Sequence, residues 1–224
     1  MHLPRGDAFS EPPEPCYRAG LMLLPALFGS VLFLALVLGD WFHFRRLTTH
    51  AGSYGCRIAR ADDRLPSAHL AAALDRLAAA AVLRLPNGVA RVLSAEQKIL
   101  LRSQGGLRSH RFVTAWPLKG TIHLEPEGEL TRLVCIKRIP WSSAILTSLW
   151  FLLVGIGTIA FVIVFFADGG LGSLGSLLMG LGILGLGLLV LAFGLVTVSL
   201  AYRLEDHRLT QAYQELRSLL VQAE

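Results

Sequence analysis

Three stretches of the chain consist of apolar and small residues and contain no charge. They run from Ala19 to Gly39, from Ile139 to Ala167 and from Gly169 to Tyr202. An α-helix rises about 1.5 Å per residue and needs roughly 20 residues to cross a hydrocarbon core about 30 Å thick. Each stretch is long enough, so the pattern predicts transmembrane helices over residues 19–40, 141–167 and 171–202.

The connection between the second and third stretches consists of Asp168 to Gly170, so two spans there have to form an antiparallel hairpin. The first stretch follows Arg18 and could instead be a cleaved signal peptide. However, it is longer than an ordinary signal-peptide core, and LVLGDWF at its end has no small-x-small cleavage site. We expect an uncleaved anchor. The proline-rich, acidic SEPPEPC ahead of it predicts a disordered tail over residues 1–18.

The hydrophobic period changes within residues 41–140, which we expect to form a separate domain. Apolar residues at helical spacing first predict a helix over residues 66–81. From Val82 the apolar and polar residues alternate, which predicts an antiparallel β meander over residues 82–139. Its hairpin signals are PNG, between VLRL and VARVL, and PEGE, between TIHLE and LTRLVCIKRI. KILLRS and HRFVTAW are the other expected strands.

A meander of this size cannot bury both faces by itself, so it should curl into a small barrel or pack on the alanine-rich helix. The preceding segment, AGSYGCRIARADDRLP, is predicted to be a loop or a broken strand. The plan resembles that of the membrane-tethered pleckstrin-like and SH3-like modules of bacterial inner-membrane proteins. The predicted fold class is therefore membrane α-helical, with three transmembrane helices and an inserted small cytoplasmic α+β or β-barrel-like domain.

Residues 203–222 are predicted to form a C-terminal amphipathic helix. Its apolar positions recur at helical spacing and are Leu209, Ala212, Tyr213, Leu216 and Leu220. The charges on its other face are of both signs, which favours docking on the β module or on a partner over lying on lipid.

The third apolar stretch has a seven-residue repeat of small residues: Ser173, Gly180, Gly187, Gly194 and Ala201. Seven residues return to nearly the same azimuth of a helix, so these positions, with Ser176, predict a groove for close helix packing. The second span is one candidate partner, through Ser148, Gly155 and Val162. Another subunit or a second copy is the alternative.

Basic residues are concentrated in the central domain. From Trp41 to Pro140 there are 16 lysines and arginines against 7 acids, whereas the tail after Ala201 has 3 against 4. Headgroup and topology anchors are expected at the ends of the spans: Trp41, Arg45, Arg46, Lys137, Arg138, Trp141 and Arg203. The positive-inside rule then predicts an outside N-terminus, with the central domain and the C-terminus in the cytoplasm of a bacterium.

A basic domain could also bind nucleic acid. The arginines are scattered, though, and no aromatic residues are interleaved as a stacking platform. Proximity to an anionic leaflet explains the same excess of charge. We therefore expect a lipid bilayer, and a membrane-protein partner or a second copy, as partners, and no nucleic acid.

No established motif for catalysis, cofactor binding or metal binding is found in the sequence. A catalytic set could be imagined from Ser109, His110 and His123, but positions on the surface of strands explain these residues better. Metal ligands could be imagined in His43 and His50, but positions at the membrane interface explain them better. We expect no catalytic, cofactor or metal residues and identify no small-molecule substrate. The expected function is a non-catalytic accessory or scaffold subunit of the inner membrane. A subunit of an oligomeric transporter or channel, or a membrane-bound enzyme with an unrecognised site, are the alternatives.

The topology can be checked directly with reporters fused into the central domain and at the C-terminus. We expect both to report a cytoplasmic location and the whole chain to sediment with membranes. A central domain that is labelled from outside intact cells, or a chain that stays in solution after the membranes are pelleted, would contradict the prediction.

Overall fold

A computed structural model describes residues 16–67, 70–80, 82–103, 114–170 and 172–221, with the backbone alone for residues 16–24. The helices are α1 (Cys16–Arg45), α2 (Thr49–Gly52), α3 (Leu70–Ala78), α4 (Trp141–Ala167) and α5 (Leu174–Val221). The strands are β1 (Cys56–Pro66), β2 (Leu83–Arg84), β3 (Gly88–Leu93), β4 (Lys98–Ser103), β5 (Lys119–Glu127) and β6 (Leu130–Ile139). The described chain divides into two compact units, one ending at Gly39 and one beginning at Asp40.

Three of these helices are long and apolar enough to cross a membrane: α1 from Pro25 onwards, α4 and α5. Three such helices, together with a six-stranded sheet, indicate a membrane protein with a separate sheet domain. Of the predicted tail over residues 1–18, residues 1–15 lie outside the described part of the chain. The last three residues of this tail are already helical, because α1 begins at Cys16.

Helix α5 is 48 residues long and runs without a break from Leu174 to Val221. The sequence predicts a third span over residues 171–202 that continues into the amphipathic helix over residues 203–222, and α5 joins the two. Nothing in the sequence interrupts the backbone at that point, since the last glycine is Gly194 and no proline follows. At about 1.5 Å per residue the helix is about 70 Å long, more than twice the thickness of a hydrocarbon core.

Helices α4 and α5 form the expected hairpin, and Gly169 makes the turn with a φ of +74°, a conformation that side chains rarely adopt. The seven-residue repeat of glycines in α5 faces α4. A Cβ atom added to Gly180 would lie 2.4 Å from the ring of Phe165, and one added to Gly187 would lie 2.5 Å from Thr158 Oγ1. One added to Gly194 would lie 2.2 Å from the Trp150 ring.

The side chains that fill this groove are large. The small α4 residue Gly155 does not approach α5, because nothing lies within 4 Å of a Cβ built there. Thr158 and Phe165, seven residues apart, instead insert opposite the α5 glycines. Without a hydrophobic gain between helices in lipid, close contact of this kind is what holds two helices together.

The six strands form an antiparallel sheet in the order β1-β6-β5-β4-β3-β2. Both predicted hairpins are present, β2–β3 across PNG and β5–β6 across a turn in which Gly128 has a φ of +66°. The sheet is open, since β1 and β2 lie at its two edges. The described strands therefore do not form the small closed barrel that the sequence left possible.

One open alternative in the central domain is decided, and two expectations need correction. The segment predicted as a loop or broken strand contains β1, which is 11 residues long and pairs along β6 with one irregularity between Arg57 and Ala59. The helix predicted over residues 66–81 is the shorter α3. Of the expected strand HRFVTAW, residues 110–113 lie outside the described part, and Thr114 to Trp116 are not in a strand.

One face of the sheet carries the hydrophobic core. Ile99, Leu101 and Ile122 are fully buried there. The C-terminal half of α5 covers them with its own apolar stripe, which consists of Leu209, Ala212, Leu216 and Leu220. Helix α3 completes the layer. The amphipathic segment therefore docks on the sheet of its own chain, and this is where the sheet face finds most of its cover.

Polar contacts fix the register of α5 on the sheet. Glu215 accepts a hydrogen bond from the backbone N–H of Asn87 at 3.0 Å, at the β2–β3 turn. Asp63 in β1 accepts one from the Tyr213 hydroxyl at 2.9 Å. Gly88 lies directly under the helix, where an added Cβ would come within 2.5 Å of the Ala212 methyl. The helix can approach this closely only because residue 88 has no side chain.

The hairpin packing can be tested with Gly187→Leu, and Gly182→Leu provides the matched control. Leucine at 187 has to displace Thr158, so we expect a loss of about 1–3 kcal/mol of unfolding free energy, the usual cost of overpacking. At Gly182 nothing lies within 4 Å of an added Cβ, and we expect no loss. Thermal unfolding in mild detergent measures both. Equal effects of the two variants would contradict the observed helix pairing.

Candidate functional site: the basic face of the sheet

The second face of the sheet carries a row of four basic side chains on adjacent strands. Arg57 in β1 pairs with Arg138 in β6, which pairs with Lys119 in β5. Lys119 in turn pairs with Arg102 in β4. Like charges directly opposite each other on a sheet are destabilising. This row therefore needs acceptors or counter-ions.

Backbone carbonyl groups supply many of these acceptors. The segment that follows α1 lies over this face. Lys119 Nζ donates to the carbonyl oxygen of Phe44 at 3.1 Å and to that of Ala51. Arg102 Nη1 donates to the carbonyl of Arg45 at 2.9 Å. The last carbonyl groups of α1, which no helical N–H can satisfy, thus bind cations at the negative end of the helix dipole.

The same pattern continues along the segment. Arg91 Nη1 donates to the Leu47 carbonyl at 2.9 Å, and Arg138 Nη1 to the Gly55 carbonyl at 3.2 Å. Thr121 Oγ1 donates to the Gly52 carbonyl at 2.7 Å. The segment from residue 44 to residue 55 is therefore held on the sheet mainly through its own backbone, which is why its side chains gave little indication of this role.

Lys119 lies at the centre of the row and is completely buried. Its ammonium group lies 4.4 Å from the centroid of the Phe44 ring, a cation–π contact. Burial, together with the charges of Arg138 and Arg102, lowers the pKa of Lys119 from 10.5 to about 8. The charge of this lysine is accordingly coupled to the contact that Phe44 and Ala51 make with the sheet.

Two glycines allow the segment to lie this close. A Cβ at Gly52 would come 2.7 Å from the Leu100 side chain. Gly55 has a φ of +113°, and a Cβ there would lie 2.6 Å from the carbonyl oxygen of Ile139. The glycines of AGSYG, which the sequence indicated as a loop, are thus required by close approach to the sheet and by backbone conformation.

Asp40 joins the end of α1 to the beginning of α4. Its carboxylate accepts hydrogen bonds from the backbone N–H of Ser142 at 2.9 Å, from the Ser142 hydroxyl and from the Tyr54 hydroxyl. The bond to Asp40, with burial, raises the pKa of Tyr54 to about 12. Asp40 thereby satisfies a free N–H in the first turn of α4.

Beside this row lies a cavity of about 420 Å³, called here the basic groove. Its charged and titratable lining residues are His50, Arg57, Glu96, Lys98, His123 and Arg138. Burial and the nearby Lys98 and Arg138 lower the pKa of His123. The one acid in this set, Glu96, is paired with Lys98 at 3.0 Å. The groove therefore has an excess of positive charge.

The opposite face contains a buried acid that sequence reasoning missed. Glu205 in α5 is 3% exposed. It accepts hydrogen bonds from Ser103 Oγ at 3.3 Å and Thr114 Oγ1 at 3.0 Å, and pairs with Arg208 at 3.1 Å. Its position between Ala201 and Leu209 on the apolar stripe was a usable signal. Ser103 and Thr114 flank residues 104–113, so Glu205 holds the two ends of that segment together.

The predicted packing residues lie in two environments. Gly180, Gly187 and Gly194 contact α4 as described, and Ala201 is buried. Ser173 and Ser176 bond to each other at the start of α5, where Ser173 Oγ accepts from the Ser176 N–H at 3.2 Å. These two serines thus cap the helix.

The predicted headgroup and topology anchors also fall into two groups, some exposed and some bound within the protein. Trp141, Arg46 and Arg203 are exposed, and the Arg45 guanidinium lies 5.8 Å from the centroid of the Trp41 ring. Lys137 instead pairs with Asp206 of α5, and Arg138 binds the Gly55 carbonyl. Lys137 and Arg138 are thus engaged within the protein.

The imagined catalytic set cannot be assembled from the described residues, since Ser109 and His110 lie outside them. His43 packs edge-on against Tyr54, with ring centroids 4.6 Å apart. In the part of the chain that the structure describes, no group of three or more His, Cys, Asp or Glu side chains could hold a metal ion. Cys56 and Cys135 are both free.

Comparison with protein-family models, curated proteins and solved structures finds no match to this chain.

The charge of Lys119 gives a prediction for pH dependence. Because its pKa is about 8 in the folded protein and 10.5 ordinarily, the unfolded chain binds more protons between these values. Wild-type stability should rise over this range relative to Lys119→Met, by about 1–3 kcal/mol. Denaturation in detergent at pH 7 and pH 10 measures this difference. Lys98→Met is the control, and an unchanged difference between wild type and Lys119→Met would contradict the assignment.

Proposed function

We propose that this chain is a non-catalytic accessory or scaffold subunit of a bacterial inner membrane. In this proposal the N-terminus is outside, and the sheet domain and C-terminus are cytoplasmic. The membrane helices make lateral contacts, and the sheet domain, held at the bilayer surface, contacts a protein partner or lipid headgroups. The continuity of α5 from the apolar hairpin into the core of the sheet domain is the observation that carries the proposal.

A continuous helix fixes the sheet domain to the membrane hairpin. The Gly187 and Gly194 region of α5 packs on α4, while Leu209 and Leu216 of the same helix are buried under the sheet. Bending between these two regions would break helical hydrogen bonds. The sheet domain is thus suited to a platform at a set height above the bilayer, and not to a freely moving tether.

The ends of the other helices add further attachments. The carbonyls of Phe44 and Arg45 at the end of α1 are bound by Lys119 and Arg102, and Asp40 binds the first turn of α4. The residues from Asp40 to Arg45 are therefore held by specific polar contacts with the sheet domain and with the first turn of α4. A flexibly linked sensor or catalytic domain would not need such attachments, whereas a scaffold benefits from them.

The surface for lateral contacts consists of glycines of α4 and α5 that take no part in the packing of these two helices on each other. Built Cβ atoms at Gly175, Gly182 and Gly185 of α5, and at Gly155 and Gly157 of α4, meet nothing within 4 Å. Small residues permit the close backbone approach on which helix association in lipid depends. We place the contact with a membrane partner or a second copy here, instead of at the seven-residue repeat that α4 occupies.

Co-purification from native membranes in mild detergent tests the proposal. We expect the wild-type chain to run in a complex larger than a monomer. Gly182→Leu should shift it toward the monomer without lowering its melting temperature, because a side chain at that position blocks the approach of a second helix, while an added Cβ there has no described atom within 4 Å.

Two controls sharpen this test. Gly187→Leu should lower the melting temperature of the monomer, which separates loss of assembly from loss of folding. An isolated wild-type monomer, with Gly182→Leu indistinguishable from it, would refute the scaffold proposal. Ion or solute flux in liposomes containing the purified chain would instead favour a transporter or channel subunit.

A further inference from the structure

We propose that the basic groove binds a phosphate group, carried either by the headgroup of an anionic lipid or by a soluble phosphate compound. The lipid form of this ligand rests on the proposed function, because it requires the sheet domain to lie at the bilayer surface. The soluble form does not depend on it.

The cationic groups of the groove come from strands that are hydrogen-bonded neighbours. Arg57 and Arg138 are cross-strand partners on β1 and β6, and Lys98 and His123 are partners on β4 and β5. Side chains directly opposite each other on one face have Cβ atoms about 4.5–5.5 Å apart. The sheet thus holds two guanidinium groups close together without help from a mobile loop.

The hydrogen-bonding capacity of this pair is incompletely used. Among the described residues, the Arg57 side chain makes no hydrogen bond or ion pair. Arg138 Nη1 donates to Gly55, while its Nε is buried without a hydrogen-bond partner. Arg102 has the same arrangement as Arg138, with Nη1 on a carbonyl oxygen and Nε buried without a partner, whereas Lys119 reaches two carbonyl groups. Arg57 differs from all three, because it is exposed on β1, lines the groove and makes no side-chain hydrogen bond among the described residues.

A phosphate group suits these donors. Guanidinium forks match the spacing of phosphate oxygens and form paired, charge-assisted hydrogen bonds with them. The Ser53 and Thr49 side chains also line the groove. A cavity of about 420 Å³ is large enough for a headgroup or a small phosphate ester. No Phe, Tyr or Trp lines it.

The position of the groove along the chain favours access from the bilayer surface. Thr49 and His50 follow the end of α1 at Arg45 by four and five residues, and Arg138 precedes the start of α4 at Trp141 by three. Both helices are candidate membrane spans. Groups this close to the ends of membrane helices lie at headgroup level, where anionic phosphates are concentrated.

The experiment uses the full chain in mild detergent and compares Arg57→Gln with the matched control Arg60→Gln. Both arginines are exposed on β1 and both changes remove one charge, but Arg60 is paired with Asp62 at 3.0 Å. The probes are short-chain phosphatidic acid, inorganic phosphate and short-chain phosphatidylcholine. Native mass spectrometry measures bound lipid, and phosphorus NMR line broadening measures bound phosphate.

We expect phosphatidic acid to bind and phosphatidylcholine not to bind. Arg57→Gln should weaken phosphatidic acid binding about tenfold, the loss of one charge-assisted hydrogen bond, and Arg60→Gln by less than about twofold. Binding of phosphatidic acid alone supports the lipid source, and competition by inorganic phosphate supports a soluble one. Both variants should keep the wild-type melting temperature, and Lys98→Gln provides a second variant inside the groove.

Equal weakening by Arg57→Gln and Arg60→Gln would overturn the inference, because it would show attraction to overall charge without a site. Equal binding of phosphatidylcholine and phosphatidic acid would overturn it too. Neither outcome bears on the scaffold proposal, because that proposal is tested by the size of the complex without added phosphate. Conversely, a monomeric chain that still binds phosphatidic acid through Arg57 would refute the scaffold proposal and support the phosphate site.

Discussion

The apolar face of the six-stranded sheet has to be covered, and the C-terminal half of α5 provides most of that cover. Leu209, Ala212 and Leu216 are buried against strands that place Ile99 and Ile122 opposite them. Because the N-terminal half of the same helix is apolar throughout and packs on α4, covering the sheet also fixes it to the membrane hairpin. One hydrophobic requirement of the sheet domain thus determines its attachment.

The other face of the sheet is stabilised by electrostatics and hydrogen bonds. Four basic side chains on adjacent strands would repel one another, and the backbone carbonyls that follow α1 provide acceptors for three of them. Residues 44 to 55 are thereby held on the sheet through main-chain groups, with Lys119 buried at the centre. Arg57 is the member of the row that lacks such an acceptor among the described residues. This difference separates the structural part of the basic face from the part available to a ligand.

Much of the fold follows from local patterns, and the exceptions follow from long-range contacts. Span length and hairpin turns predicted α4, the β2–β3 turn and the β5–β6 turn, because period and turn chemistry are local properties. The continuation of the third span into the amphipathic helix after Arg203 was predicted as well, because helical spacing of apolar residues is a local property, and α5 is one helix. The segment of β1 was left open between a loop and a broken strand, because its order depends on pairing with β6, some 70 residues later in the chain. The basic face could not be derived, since the acceptors of Lys119 are backbone atoms that any sequence supplies.

Hydrogen–deuterium exchange along α5, measured on the intact chain in a lipid nanodisc, tests the rigid connection most directly. The peptide bonds from Val196 to Leu209 join the hairpin to the sheet core. We predict uniformly slow exchange through this region, as slow as in the neighbouring turns that pack on α4 and on the sheet. A fast-exchanging stretch between Ala201 and Glu205, with protection on both sides, would show two helices joined by a hinge and would contradict the account.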